Sequence, residues 1–315
     1  MLVPTAARAQ LKGLYVAGFS GLQSGTQPPP SISVYLPLYF YTTDDIRDAS
    51  GHRIGPHPRV NVTFIGPTVA WVTNVKVWNA NLGGSIAPVA WIKSRLEGDA
   101  LDVPGQFKFT DTYVQPVQLG WKTHRADFIA GYGLFVPTGK WELGGRDNSG
   151  LGMWSSLFQG GTTLHLDQHN EWTFAMLASY EINSHKRNTD IRAGNILTLE
   201  GGLGRTFFSK MRMVGGNPEP SVVTNFGAVY YAQFKVTSDD GALIDALAAG
   251  ARDRVYAAGL EGSIAMPEKS LAFDLRVEPE FGARSRTQGW TIMFTAGYQI
   301  KSLVKPPPAA PKAVH

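Results

Sequence analysis

The sequence predicts an all-β fold, a transmembrane antiparallel β-barrel of outer-membrane type with about 12 strands. Three observations carry this reading. Twelve short segments alternate apolar and polar side chains, the loops between them alternate in length, and no stretch is a run of roughly 18 apolar residues, the minimum for a membrane-crossing helix. A membrane protein built this way must be a closed barrel, because open sheet edges are not tolerated in hydrocarbon. The competing arrangement is a soluble sandwich whose oily faces meet in a core. Aromatics at strand ends rather than strand middles favour the barrel.

Composition narrows the setting. The chain has 315 residues, only 17% of them charged, and no cysteine, which fits export through an oxidising space. A net charge of +4 without clustering argues against a nucleic-acid partner. Ala7-Arg8-Ala9 before Gln10 matches the small-x-small end of a signal peptide, although Met1 to Ala6 is too short for a basic region plus an apolar core. Residues 1–9 are read as a signal-peptide remnant, with an accidental match as the alternative.

Residues 10–30 form a leader that is apolar and glycine-rich, then locked extended by Pro28-Pro29-Pro30. Its apolar side chains Leu14, Tyr15, Phe19 and Leu22 have no other obvious burial site, which makes them plug candidates. A plug in the barrel mouth and a periplasmic arm both fit this composition. Because the lumen is charged, contact is expected near the periplasmic rim.

The barrel proper is expected over residues 31–304, with strands at 31–43, 60–77, 84–97, 110–123, 126–136, 153–167, 171–183, 195–208, 222–237, 253–266, 270–284 and 288–301. Successive strand side chains point to opposite faces. In the last strand Trp290, Ile292, Phe294, Ala296, Tyr298 and Ile300 share the oily face, with aromatics near its two ends as at the two interfaces of a bilayer. Trp172, Phe174, Met176, Ala178, Tyr180 and Ile182 repeat the pattern, as do Phe226 to Val236 and Leu271 to Phe281. The connections at 168–170 and 267–269 are tight, whereas 44–59, 137–152, 184–194 and 238–252 are long, as expected of periplasmic turns and extracellular loops. Ala242 to Ala249 has a helical composition within the last long loop. The Pro-rich tail, 305–315, is expected to be disordered.

Four segments carry a resemblance. They are the leader Gly21-Leu22-Gln23-Ser24-Gly25-Thr26-Gln27-Pro28-Pro29-Pro30, the run Asp111 to Trp121 containing Gln115-Pro116-Val117-Gln118-Leu119-Gly120, the run Gly131 to Trp141 containing Pro137-Thr138-Gly139-Lys140, and Gly150-Leu151-Gly152-Met153-Trp154. Together they resemble the outer-membrane proteins grouped as the meta-pathway of phenol degradation family, over about Gly13 to Lys305. The resemblance implies a barrel transporter associated with uptake of aromatic or other hydrophobic compounds. It implies no residue-level site.

If the alternation holds, Glu181, Glu200, Lys235, Glu261, Asp274, Arg276, Glu278 and Glu280 all point into the lumen. Arg or Lys at mid-bilayer facing lipid would cost about 2–4 kcal/mol. Such charges can pair across strands, shape a permeation path, or both. Other chemistry is weak. His165 and His169 have metal-like spacing only on a helix, and they fall on a strand end and a turn with no third ligand nearby, so no metal or cofactor is expected. Asp167, His165 and Ser155 or Ser156 could suggest a hydrolase, yet no strained Gly-x-Ser-x-Gly turn accompanies them. Gly201-Gly202-Leu203-Gly204 and Gly131-Tyr132-Gly133 lead into no helix with a Lys-Ser/Thr ending, so they read as glycines of curved strands. The expectation is a non-enzymatic, passive outer-membrane channel or transporter for small hydrophobic or aromatic solutes, in contact with outer-membrane lipid. A closed-lumen structural or binding barrel is the alternative, and a barrel-borne hydrolase comes third.

Overall fold

Alternation of period 2 produces one closed antiparallel sheet. The computed structural model describes residues 13–55, 59–97, 105–145, 147–214, 217–241 and 252–304. The proposed signal remnant, the tail and the Ala242–Ala249 segment lie outside the described residues. The strands are β1 (Ser31–Ile46), β2 (Arg59–Ile65), β3 (Thr68–Val77), β4 (Ala80–Ala87), β5 (Trp91–Glu97), β6 (Lys108–Phe109), β7 (Thr112–Lys122) and β8 (Ala126–Val136). They continue as β9 (Ser155–His165), β10 (Trp172–Asn183), β11 (Ile196–Val214), β12 (Asn217–Lys235), β13 (Arg254–Met266), β14 (Leu271–Arg284) and β15 (Thr287–Ser302). β15 returns to β1, from Ser31↔Ser302 to Ile46↔Thr287, and closes the barrel.

Fifteen segments make 12 staves, because three staves are each split in two. β1 pairs with β3 through Ser31–Tyr35 and with β2 through Leu38–Thr43, so β2 and β3 are halves of one stave broken at Gly66-Pro67. The next stave is β4 plus β5, interrupted at Pro88-Val89-Ala90, and the one after is β6 plus β7, interrupted at Thr110-Asp111. The expected continuous strands 60–77, 84–97 and 110–123 are therefore each divided. Pro67 and Pro88 cannot donate to a ladder, which ends pairing at two of the three breaks.

Among the described residues, connections at one end are Trp78-Asn79, 123–125, 166–171 and 267–270, all short. Trp78 and Asn79 both take positive φ, 49° and 66°, as a two-residue turn matched to strand twist requires. At the other end the connections are long, apart from the two-residue turn Ser285-Arg286. Short turns are periplasmic in barrels of this kind. β11 and β12, 19 residues each, outrun their neighbours: pairing with β10 stops at Arg205 of β11 and pairing with β13 at Val223 of β12, so 206–214 and 217–222 project from the short-turn rim as a paired ribbon. The strand expected to end at 208 thus continues to Val214, and the one expected to begin at 222 starts at Asn217.

The two faces separate cleanly. On β14, Leu275 and Phe281 are half-exposed on the outside, while Arg276, Glu278 and Glu280 are buried. Trp290, Tyr298 and Ile300 point outward on β15, with Thr291 and Met293 buried between and beside them. Among the described residues no helix is long and apolar enough to cross a membrane.

Candidate permeation path

The lumen wall has two unlike halves. Strands β10 to β14 carry nearly all its charge. β1, β2, β5, β7 and β8 present Tyr39, Val62, Phe64, Ile92, Tyr113 and Phe135. Between the halves runs the leader. It enters at the short-turn rim, where Pro28–Pro30 meet β1, and reaches Glu181 near the far end of β10 at Leu14.

Carboxylates hold this leader by its backbone. Glu181 accepts the Leu14 and Tyr15 N–H groups at 2.8 and 3.0 Å. Glu200 accepts the N–H of Gly18 at 2.8 Å and of Ser20 at 3.2 Å, and the Tyr15 hydroxyl as well. Glu261 accepts the Leu22 N–H at 3.1 Å. Arg276 completes the clamp: its guanidinium donates to Glu261 at 2.8 Å and to the Gly18 carbonyl at 2.6 Å, and lies 3.4 Å from Asp274. Glu278 is buried against Gly18, and its Oε1 has no hydrogen-bond partner among the described residues. Gly18 has φ +76°, and a Cβ there would lie 2.4 Å from Glu278 Oε2, so only glycine permits this approach.

The expectation of contact at the rim is corrected by this arrangement. Charged walls are poor partners for apolar side chains, but the bonded groups are N–H donors, and the side chains turn elsewhere. Leu22 is 2% exposed and fills a socket where Gly202, Gly204 and Gly227 leave room for it; a Cβ on any of the three would come within 2.9 Å of its atoms. Gly202 and Gly204 therefore serve a knob from a distant segment as well as strand curvature. Phe19 is 40% exposed and borders the cavity with Leu14 and Val16.

Of the eight lumen candidates, Glu181, Glu200, Glu261, Asp274, Arg276 and Glu278 gather around the leader. Glu280 and Lys235 instead join a second network toward the long-loop end. Lys235 Nζ lies 2.9 Å from Asp239 and 3.4 Å from Asp253, while Glu280 accepts the Tyr41 and Tyr231 hydroxyls at 3.0 and 2.8 Å. Arg286 bridges the network, 3.7 Å from Asp253 and 3.9 Å from Glu280. Asp239, Asp253 and Arg286 escaped sequence reasoning because they lie at strand ends and in turns, outside the alternating register. The four-residue spacing of Lys235 and Asp239 was the available signal.

The open space beside the leader is a cavity of about 1140 Å³. It exceeds the range of typical small-molecule pockets. Toward the long-loop end Ser149, Gly150 and Leu151 border it. That loop is tied down by Asp111, which accepts the Gly139 and Leu151 N–H groups at 2.9 Å each, and by Lys186, which donates to the Leu151 carbonyl at 2.7 Å. Burial holds the Lys186 ammonium below its ordinary pKa.

The sequence-level hydrolase and metal candidates are dispersed. Ser155 donates to Asn183 at 2.5 Å, Ser156 lies 3.2 Å from the Tyr132 hydroxyl, and His165 closes the other end of β9. Ten residues of strand put the serine and the histidine roughly 33 Å apart. His165 faces Asp127 at 3.6 Å, and among the described residues no group of three His, Cys, Asp or Glu side chains could hold a metal ion.

A closed 12-stave barrel with an outward apolar band and an inward polar face is an outer-membrane β-barrel protein of bacteria. The chain belongs to the family described as Putative MetA-pathway of phenol degradation, whose model matches residues 43–296. Among solved structures, an outer membrane channel from Pseudomonas putida F1 is similar with a TM-score of 0.68 and 12% identity, over 87% of this chain and 97% of that one. The β domain of the Bordetella autotransporter BrkA gives a TM-score of 0.48 and 9% identity, over 86% of this chain and 100% of that one. At 12% identity the likeness to the Pseudomonas channel is one of fold. No curated protein matches the sequence.

Proposed function

We propose that this protein is a passive, non-enzymatic conduit for small hydrophobic or aromatic solutes across the outer membrane, in which the segment 13–30 is a movable plug inside the 31–304 barrel. The observation that carries this reading is the lining of the cavity. Tyr39, Val62, Phe64, Ile92, Tyr113 and Phe135 face it from the barrel, and Leu14, Val16 and Phe19 face it from the leader. Three lumen carboxylates beside the leader, Glu181, Glu200 and Glu261, are occupied with its N–H groups. A water-filled pore for polar solutes has no use for such a wall, whereas apolar solutes gain by burial in it.

The test is entry of 1-N-phenylnaphthylamine, a fluorescent apolar probe, into cells whose outer membrane carries or lacks the protein. Faster probe entry with unchanged entry of small sugars is expected. Faster sugar entry without faster probe entry refutes the reading. The number of bonds holding the leader favours a second reading, a closed barrel that binds apolar ligands without passing them. Saturable probe binding by the purified protein, with no acceleration of entry into cells, would select it.

A further inference from the structure

We infer that the leader sets the polarity of the path as well as its width: it is the removable apolar wall of an otherwise acidic bore. This rests on the conduit reading. Among the described residues, the barrel supplies Glu181, Glu200, Glu261, Asp274 and Glu278 around the leader against the single cation Arg276. Five carboxylates and one guanidinium give a formal charge of 1 − 5 = −4 on one side of the lumen, in a chain whose overall charge is +4. The remaining inward charges of that half pair among themselves, Lys235 with Asp239 and Asp253, and Arg286 with Asp253 and Glu280.

The leader covers the acidic face by chemistry suited to that task. Five of its backbone N–H groups, on Leu14, Tyr15, Gly18, Ser20 and Leu22, go to three of the carboxylates. Glycines at 13, 18 and 21 bring the main chain against the acids closely enough that a Cβ would overlap carboxylate oxygens, at 2.5, 2.4 and 1.7 Å. Backbone on one side and Phe19 on the other turn a charged wall into one that an apolar solute can touch. With the leader displaced, the carboxylates lose their N–H partners, regain water and line the bore with negative charge. A ring of acidic side chains selects cations. The same barrel thus has two selectivities, apolar solutes with the leader seated and small cations with it displaced.

The experiment measures the potassium-to-chloride permeability ratio of the purified protein in planar bilayers under a KCl gradient. The full chain is compared with a variant lacking residues 13–26, and with that deletion carrying Glu181→Gln, Glu200→Gln and Glu261→Gln. The deletion is expected to raise the ratio about tenfold and the three glutamines to abolish most of that rise. Should the deletion fail to fold, Gly18→Val in the full chain serves instead: a β-branched residue does not adopt the φ of +76° found there, and a Cβ would lie 2.9 Å from the buried Tyr231 ring, so the leader shifts off the wall while every strand is kept. Higher conductance with an unchanged ratio, in either variant, overturns the inference and reduces the leader to a stopper. Probe entry into cells judges the conduit reading separately, because the ion ratio does not depend on it.

Discussion

Replacing Leu22 with alanine should release the leader while leaving the barrel intact. Leu22 is 2% exposed, and its socket is made by three glycines of β11 and β12, where Cβ positions fall 2.8 to 2.9 Å from its side chain. The barrel backbone cannot close this hole, because its own ladder, Gly202↔Val229 and Gly204↔Gly227 among its rungs, fixes the strands around it. A buried Leu→Ala change with little relaxation costs about 2–5 kcal/mol. At about 1.4 kcal/mol per tenfold, the undocked fraction should rise roughly 30- to 4000-fold. The loss falls on leader docking, since none of the strand pairings involves Leu22. The chain has no cysteine, so Ser24→Cys, at a position 7% exposed in the docked leader, supplies a unique thiol. Its rate of labelling by a bulky maleimide then reports undocking. The rate should rise by that factor, up to the rate of a free thiol, while the heat-modifiable gel shift of the folded barrel stays unchanged. Equal labelling with and without Leu22→Ala, both barrels folded, would refute the socket as the anchor.

Leu275→Arg, which places a cation on the outward face at a half-exposed position, should cost about 2–4 kcal/mol and impair membrane insertion, whereas Asp274→Leu should insert; the reverse outcome in a urea-titrated folding assay would mean the faces are exchanged. Arg276→Ala removes the partner of Glu261 and Asp274 and the donor to the Gly18 carbonyl; a loss of about 3–5 kcal/mol is expected, seen as a lower melting temperature together with faster labelling of the Ser24→Cys thiol. Protease added to intact cells should cut within 137–152, 184–194 and 238–252 and spare the turns at 168–170 and 267–269, and mass spectrometry of the fragments decides it. In the turn after β9, hydrogen bonds from the Trp172 and His169 amides hold the Asp167 carboxyl below its ordinary pKa. Its folded value lies below its unfolded one, so the contribution is full above the ordinary carboxylate range and is lost as pH falls through the lowered value; amide exchange at Trp172 should accelerate only there.

Which side chains meet lipid and which meet the lumen was legible from the chain alone. On β10, β12, β14 and β15 the oily set and the polar set fall on opposite faces because the side-chain period of a strand is 2 and admits no intermediate. The burial of Glu181, Glu200, Arg276 and Glu278 follows from that same period, and the even number of staves from antiparallel closure of β15 onto β1. The three split staves did not announce themselves. Pro67 and Pro88 interrupt the wall, yet Pro37, Pro116 and Pro279 sit inside β1, β7 and β14. A missing N–H ends a strand only where a neighbour would have received it, and the neighbour is a tertiary fact. The leader's place is of the same kind. Its apolar side chains suggested a surface to cover, but Gly18 meets Glu278 across 260 positions of sequence, and Leu22 enters a socket whose glycines read locally as strand curvature. Local periodicity sorts faces because it is a property of one strand. Which carboxylate caps which amide depends on staves that come together only when the barrel closes.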